Sequence, residues 1–168
     1  HLNSKKKNKK IIFFSTTKFN ENSDYGSSKK KAEQIIVNNS KKKNYKYFIL
    51  RLPNVFGKWC KPNYNSFLST IFFNTTRNKK IEKISIKKKI SIIYIDDVIK
   101  IVNKYLKFKG NSKIINIKGS IYNLQKLYLK IRNLWKNYQM DFHDNTGTGL
   151  DRKLFSTMIS YIPKKNVL

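Results

Sequence analysis

The chain has 168 residues and a mass of 20.0 kDa, the size of one domain or a part of a larger one. With 39% hydrophobic and 14% aromatic residues it can bury a core, which excludes wholesale disorder, and no apolar run approaches the roughly 18 residues of a membrane span. A single cysteine, Cys60, excludes an internal disulfide and fits a reducing compartment, while His1 and His143 lie too far apart to suggest a metal-ligand cluster.

Residues 1–10 are polar, lysine-rich and begin with His rather than Met, so a piece of a longer chain is expected. Ile11–Ser15 reads as a short buried strand, and Phe19–Asp24 as a polar loop. From Tyr25 to about Asn39, Ala32, Ile35 and Ile36 among lysines predict an amphipathic helix capped by Ser23 or Asp24. Tyr47–Leu52 reads as a second buried strand closed by Pro53, followed by a loop over Asn54–Asn65. Ser66–Asn74 is placed as a helix, and Ile81–Ile86 and Ile90–Ile95 as two strands. Asp96 is the expected N-cap of a helix to Phe108, with Val98, Ile99, Val102 and Leu106 at helical spacing. Lys113–Ile117 follows as a strand, Asn123–Tyr138 as a helix and Asp151–Ile159 as a short last helix. Alternation of buried-type strands with helices indicates an α/β layer architecture.

The formal charge of +28 would ordinarily put nucleic acid first among partners. Yet 33 of the basic residues are Lys and only 4 are Arg, and 22 Ile and 20 Asn stand beside a single alanine, Ala32. These biases follow A/T-rich codons, so compositional drift accounts for them without a selected binding face. Arginine, whose planar fork suits base and phosphate recognition, is nearly absent. A basic nucleic-acid-binding protein stays as the alternative from another class; it would need lysines on one face with aromatics between them. The lysine runs 5–7, 41–43 and 87–89 read as solvated faces.

The sharpest chemical feature is Tyr25-Gly26-Ser27-Ser28-Lys29. Positions i and i+4 share a helix face, so phenol and ammonium can point into the same space. A phenol is a poor acid or base at neutral pH; a neighbouring ammonium favours the phenolate and draws it toward proton transfer. Upstream, Ser15-Thr16-Thr17 ends a predicted strand, where a hydroxyl can donate to a carbonyl oxygen gaining negative charge.

These runs, with Arg51-Leu52-Pro53-Asn54-Val55-Phe56-Gly57 and Tyr94-Ile95-Asp96-Asp97-Val98, resemble the extended short-chain dehydrogenase/reductase superfamily of nucleotide-sugar epimerases, dehydratases and reductases. Arg51–Phe67 is most similar to the capsular-polysaccharide UDP-2-acetamido-2,6-dideoxy-hexulose reductases, and Lys153–Pro163 to the segment closing their reductase domain. The resemblance covers roughly residues 11–163. It implies the C-terminal part of a Rossmann-type nucleotide-sugar reductase, with an incomplete parallel sheet and a small substrate-binding subdomain. Residues 1–58 would be the rest of the NAD(P)-binding domain, 59–163 a substrate-binding part interleaved with the last Rossmann strands, and 164–168 a tail or linker.

By the same resemblance Thr17, Tyr25 and Lys29 are catalytic. Ser15, Tyr25, Lys29, Leu52, Pro53 and Val55 would meet NADPH or NADH, with Lys29 on the ribose hydroxyls. Asn54, Lys58, Trp59, Asn63 and Asn65 would face a UDP-sugar. The implied reaction is reduction of a UDP-linked 4-keto-6-deoxyhexose for capsule or surface polysaccharide, in the cytoplasm; a 4-epimerase or 4,6-dehydratase would use the same Tyr–Lys pair. No metal and no membrane insertion are expected, and a homodimer stays open. Two departures stand out: no glycine-rich strand–turn–helix precedes Ile11, and the chain ends before the metal-binding cupin domain of these relatives. The isolated piece is therefore expected to bind dinucleotide poorly and to show little or no activity.

Other tempting residues have simpler readings. Gly147-Thr148-Gly149 lacks the third glycine and the Lys-Ser/Thr ending of a phosphate loop and reads as a linker turn. Cys60 has no histidine near it in sequence and reads as a wall or packing residue, Asp96-Asp97 as structural carboxylates at a strand–helix junction, and His143 as a surface residue.

Overall fold

The apolar run at Ile11–Phe14 and the cap at Ser23 open a β–α–β passage in the computed structural model, which describes residues 9–64, 66–79, 81, 87–140 and 147–163. Along the chain stand β1 (Lys9–Thr16), α1 (Asp24–Lys43), β2 (Tyr45–Leu52), β3 (Asn54–Phe56) and α2 (Phe67–Thr75). They are followed by β4 (Lys89–Tyr94), α3 (Ile95–Lys107), β5 (Lys113–Asn116), β6 (Ser120–Asn123), α4 (Leu124–Gln139) and α5 (Gly149–Ile159). The chain divides into two compact units, His1–Pro53 with Asp97–Gly119 and Asn54–Asp96 with Ser120–Leu168. Each unit is thus discontinuous in sequence.

The first unit is built on a parallel sheet of order β1-β2-β5. Its central strand, β2, is apolar because both faces are covered: Phe48, Ile49 and Leu50 have no exposed surface. The Phe48 ring packs against Tyr105 of α3 at 5.3 Å and edge-on to Phe108 at 5.7 Å. Helix α1 starts at Ser23, whose side chain accepts from the Gly26 amide, and ends at Asn44 in the left-handed region (φ 47°), with lysines at positions 41–43 at the negative end of its dipole.

The second unit holds a sheet of order β3-β4-β6, with β3 parallel and β6 antiparallel to β4. Its core gathers Phe56, Leu68, Ile71, Phe72, Trp135 and Met158 from strand, α2, α4 and α5. The Tyr161 hydroxyl donates to the Cys60 carbonyl at 2.5 Å, and its ring stacks on Phe72 at 5.8 Å. Burial pushes the Tyr161 phenol above its ordinary value.

Several expectations change. β3 lies inside the segment read as a loop, because three residues are too few to show a period. β6 was not anticipated; Ser120–Asn123 alternates too briefly. Asp96 is the second residue of α3 and not its cap, since β4 runs into the helix with no residue between Tyr94 and Ile95. Of the α3 stripe only Val98 is buried; Ile99 and Leu106 are half exposed. The strand expected at Ile81–Ile86, apart from Ile81, together with His143 and the lysines at 5–7, lies outside the described residues. Gly147 and Gly149 adopt positive φ (66° and 56°) on either side of Thr148, a turn that leads into α5.

Candidate functional site

In the first unit the carboxyl ends of β1 and β2 form the edge at which open α/β sheets bind ligands. Thr17 follows β1 directly, is exposed, and its amide donates to the Leu52 carbonyl at 3.0 Å, so its position is set by the end of β2. Thr16 is buried, and its hydroxyl accepts from the Lys18 amide at 3.1 Å, folding the chain away from the strand. The turn then meets the start of α1 closely: a Cβ on Gly26 would stand 2.9 Å from the carbonyl oxygens of Lys18 and Glu21. Only glycine lets loop and helix touch there, which fixes where Tyr25 begins.

Tyr25 and Lys29 share one side of α1, with the Lys29 ammonium 5.7 Å from the Tyr25 ring centroid and 5.0 Å from that of Phe13. Lys29 Nζ donates to the Phe14 carbonyl at 3.0 Å, which ties the helix to the last turn of β1 and leaves two of its three N–H groups for other acceptors. Tyr25 is 46% exposed, and among the described residues its hydroxyl makes no hydrogen bond. The nicotinamide nucleotide fits this donor set. Leu52 and Pro53 are buried at the end of β2, where the Leu52 carbonyl takes the Thr17 amide.

Ser15, expected at the cofactor, is engaged within the protein. It is 5% exposed, and its hydroxyl donates to Glu33 Oε1 at 2.5 Å, so strand burial and the carboxylate of α1 have taken it. Glu33 in turn accepts from Arg51 Nε at 3.0 Å and Nη2 at 2.6 Å. Burial works to raise the Glu33 carboxyl, but the Arg51 and Ser15 hydrogen bonds and the Arg51 charge outweigh it and hold the group below the ordinary carboxylate value. Sequence reasoning gave Glu33 no role; its signal was an acidic residue inside an otherwise basic helix.

Val55 belongs to the second unit with the expected sugar-nucleotide residues, of which Asn65 lies outside the described ones. Lys58 and Trp59 line a cavity of about 560 Å³ with Arg152, Phe155, Ile159 and Ser160. Trp59 is 81% exposed in the left-handed region (φ 58°), its amide donating to Ser160 Oγ at 3.2 Å, and Lys58 Nζ sits 5.9 Å from its ring. Asn54 and Asn63 do not join this lining: the Asn54 amide donates to the Ser91 carbonyl at 2.9 Å, and Asn63 turns at φ 55° with its N–H on Thr70 Oγ1. Gly57 is required by contact, since a Cβ there would fall 2.4 Å from Ile95 Cγ2.

The profile of the NAD dependent epimerase/dehydratase family matches residues 5–118, more than half of the chain. The chain belongs to that family. A curated member, the UDP-2-acetamido-2,6-beta-L-arabino-hexul-4-ose reductase of Pseudomonas aeruginosa, is 34% identical over 122 residues, 70% of this chain and 32% of that protein. This epimerase/dehydratase-family chain therefore spans about a third of the length of the curated relative it matches. Among solved structures, the capsular polysaccharide assembling protein CapF of Staphylococcus aureus superposes with a TM-score of 0.74 at 25% identity, covering 94% of this chain and 44% of that one. The UDP-glucose 4-epimerase of Thermotoga maritima gives 0.72 at 18% identity, over 91% and 63%, and shares the fold. Tyr25 and Lys29 thus stand in a Rossmann-type fold of an NAD-dependent enzyme family.

Proposed function

We propose that the chain carries the catalytic segment of a nucleotide-sugar reductase that converts a UDP-linked 4-keto-6-deoxyhexose to its alcohol, for capsule or surface polysaccharide made in the cytoplasm. The observation that carries this reading is the Tyr25–Lys29 pair, one turn apart on the helix that follows β1, with exposed Thr17 at that strand's carboxyl end. The Arg51–Phe67 motif and the reductase named among the relatives support the reductive direction.

Bound NADPH or NADH supplies the hydride. Tyr25 Oη gives its proton to the oxygen of the former carbonyl, completing the C–H and O–H of the alcohol. The Lys29 ammonium favours the phenolate left behind, and the Thr17 hydroxyl donates to the oxygen while it carries negative charge. In the second unit Trp59 offers a flat apolar face and Lys58 a cation to the nucleotide sugar. In the first unit Leu52 and Pro53 would form an apolar wall against the nicotinamide, and Lys29 would hold ribose hydroxyls with its remaining N–H groups.

Among these residues no glycine-rich turn joins a strand to a helix, the six glycines being Gly26, Gly57, Gly110, Gly119, Gly147 and Gly149. The 168 residues by themselves accordingly bind dinucleotide weakly. Thermal shift and intrinsic fluorescence with NADPH test this, and a tight, saturable response overturns it. With millimolar NADPH and the UDP-keto sugar, loss of absorbance at the nicotinamide band should track product one for one and fall about 10²–10⁴-fold in Tyr25→Phe. Sugar interconversion without net NADPH loss would replace the reductase by an epimerase or dehydratase.

A further inference from the structure

The turn bearing Thr17 is held on both sides by a single ion pair. Two residues before it, the Ser15 hydroxyl donates to Glu33; two residues after it, the Phe19 ring lies under the Arg51 guanidinium, 3.5 Å from ring centroid to Cζ. Glu33 and Arg51 are themselves joined by three contacts of 2.6 to 3.2 Å, and their side chains are 5% and 17% exposed. Glu33 projects from α1 two turns after Tyr25 and one turn after Lys29, while Arg51 precedes Leu52, whose carbonyl takes the Thr17 amide. One carboxylate and one guanidinium therefore connect β1, the turn, α1 and β2, the four segments that carry or fix Thr17, Tyr25 and Lys29.

We propose that Glu33 and Arg51 are positioning residues that set the Thr17 turn against the Tyr25–Lys29 helix, a role that rests on the reductase reading of those three groups. Neither residue supplies a proton or a reacting atom. A planar fork is needed because Arg51 uses its edge for Glu33 and its face for Phe19, which a lysine cannot do together. The pair is the charged counterpart of a packed core contact: it fixes direction as well as distance.

The test uses amide hydrogen exchange in the 168-residue chain, which needs neither cofactor nor substrate. In Glu33→Ala the Thr17 and Lys18 amides should exchange at least about tenfold faster relative to the amides of Ile11 and Phe13, which lie on the side of β1 that faces β2. Arg51→Lys, which keeps the charge, should show the same selective rise and supplies the answer if Glu33→Ala does not fold. Equal acceleration along all of β1, or none at the turn, overturns the proposal. In the turnover assay the pair's loss should lower kcat with the UDP-sugar KM unchanged, and an unaltered kcat in either variant also overturns it. Selective exchange in a chain whose Tyr25→Phe variant turns over like wild type would instead sink the reductase reading while leaving the ion pair's hold on the turn in place.

Discussion

Glu33 shows how much a single buried carboxylate can be asked to do. Alone it would be costly under α1; with Arg51 and Ser15 it is satisfied, and removing either charged partner should destabilise by about 3–5 kcal/mol because the other charge stays buried. Its carboxyl sits below the ordinary value of 4.5 in the folded chain, so the pair's stabilisation is fully present above that value and is lost as pH falls through the lower, folded one. Besides Ser15, the group facing the carboxylate is the Arg51 guanidinium, which stays charged throughout this range. Urea midpoints measured from neutral pH downward should therefore drop below about pH 4.5, and Glu33→Gln should flatten that acid limb while lowering the neutral midpoint. An equally steep acid limb in the variant would assign the loss to other carboxylates.

At the scale of elements, the junction between β1 and α1 is decided by Gly26. An alanine there improves intrinsic helix propensity by about 1 kcal/mol. Its Cβ, however, would meet two backbone carbonyls at 2.9 Å, and backbone cannot swing aside as a side-chain tip can. Overpacking of that kind costs about 1–3 kcal/mol, so the strain wins and Gly26→Ala should lower Tm in a thermal melt. Ser23→Ala should cost about 1 kcal/mol through the lost cap, with no effect on packing. Capping of α1 was legible in the sequence at Ser23 or Asp24; the tightness at Gly26 was not, because it depends on where the preceding turn passes.

For the molecule as a whole, each compact unit is assembled from two separate stretches of chain. A cut after Lys58, the boundary that the family resemblance implies, would leave β2 without β5 and Phe48 without Tyr105 and Phe108. The fragment 1–58 should therefore fail to give dispersed amide resonances by itself, and a well-dispersed spectrum would refute this. The +28 charge acts on the same scale. Because 37 basic residues stand against 9 acidic ones, self-repulsion should be relieved by screening, and Tm should rise between about 20 and 150 mM salt.

Read from residues alone, the α/β alternation, β1, β2, α1, α2, α4 and the Tyr25–Lys29 spacing were all accessible, because hydrophobic period, caps and i,i+4 geometry are local properties of a chain. Short β3 and β6 were not, since three or four residues carry too little periodicity and owe their existence to pairing with β4. The same limit hid Glu33, whose partners stand 18 residues away on either side, and with it the bond that the Ser15 hydroxyl donates to its carboxylate. Which groups a side chain meets across elements is a matter of tertiary packing, and that packing alone decided how the Thr17 turn is held.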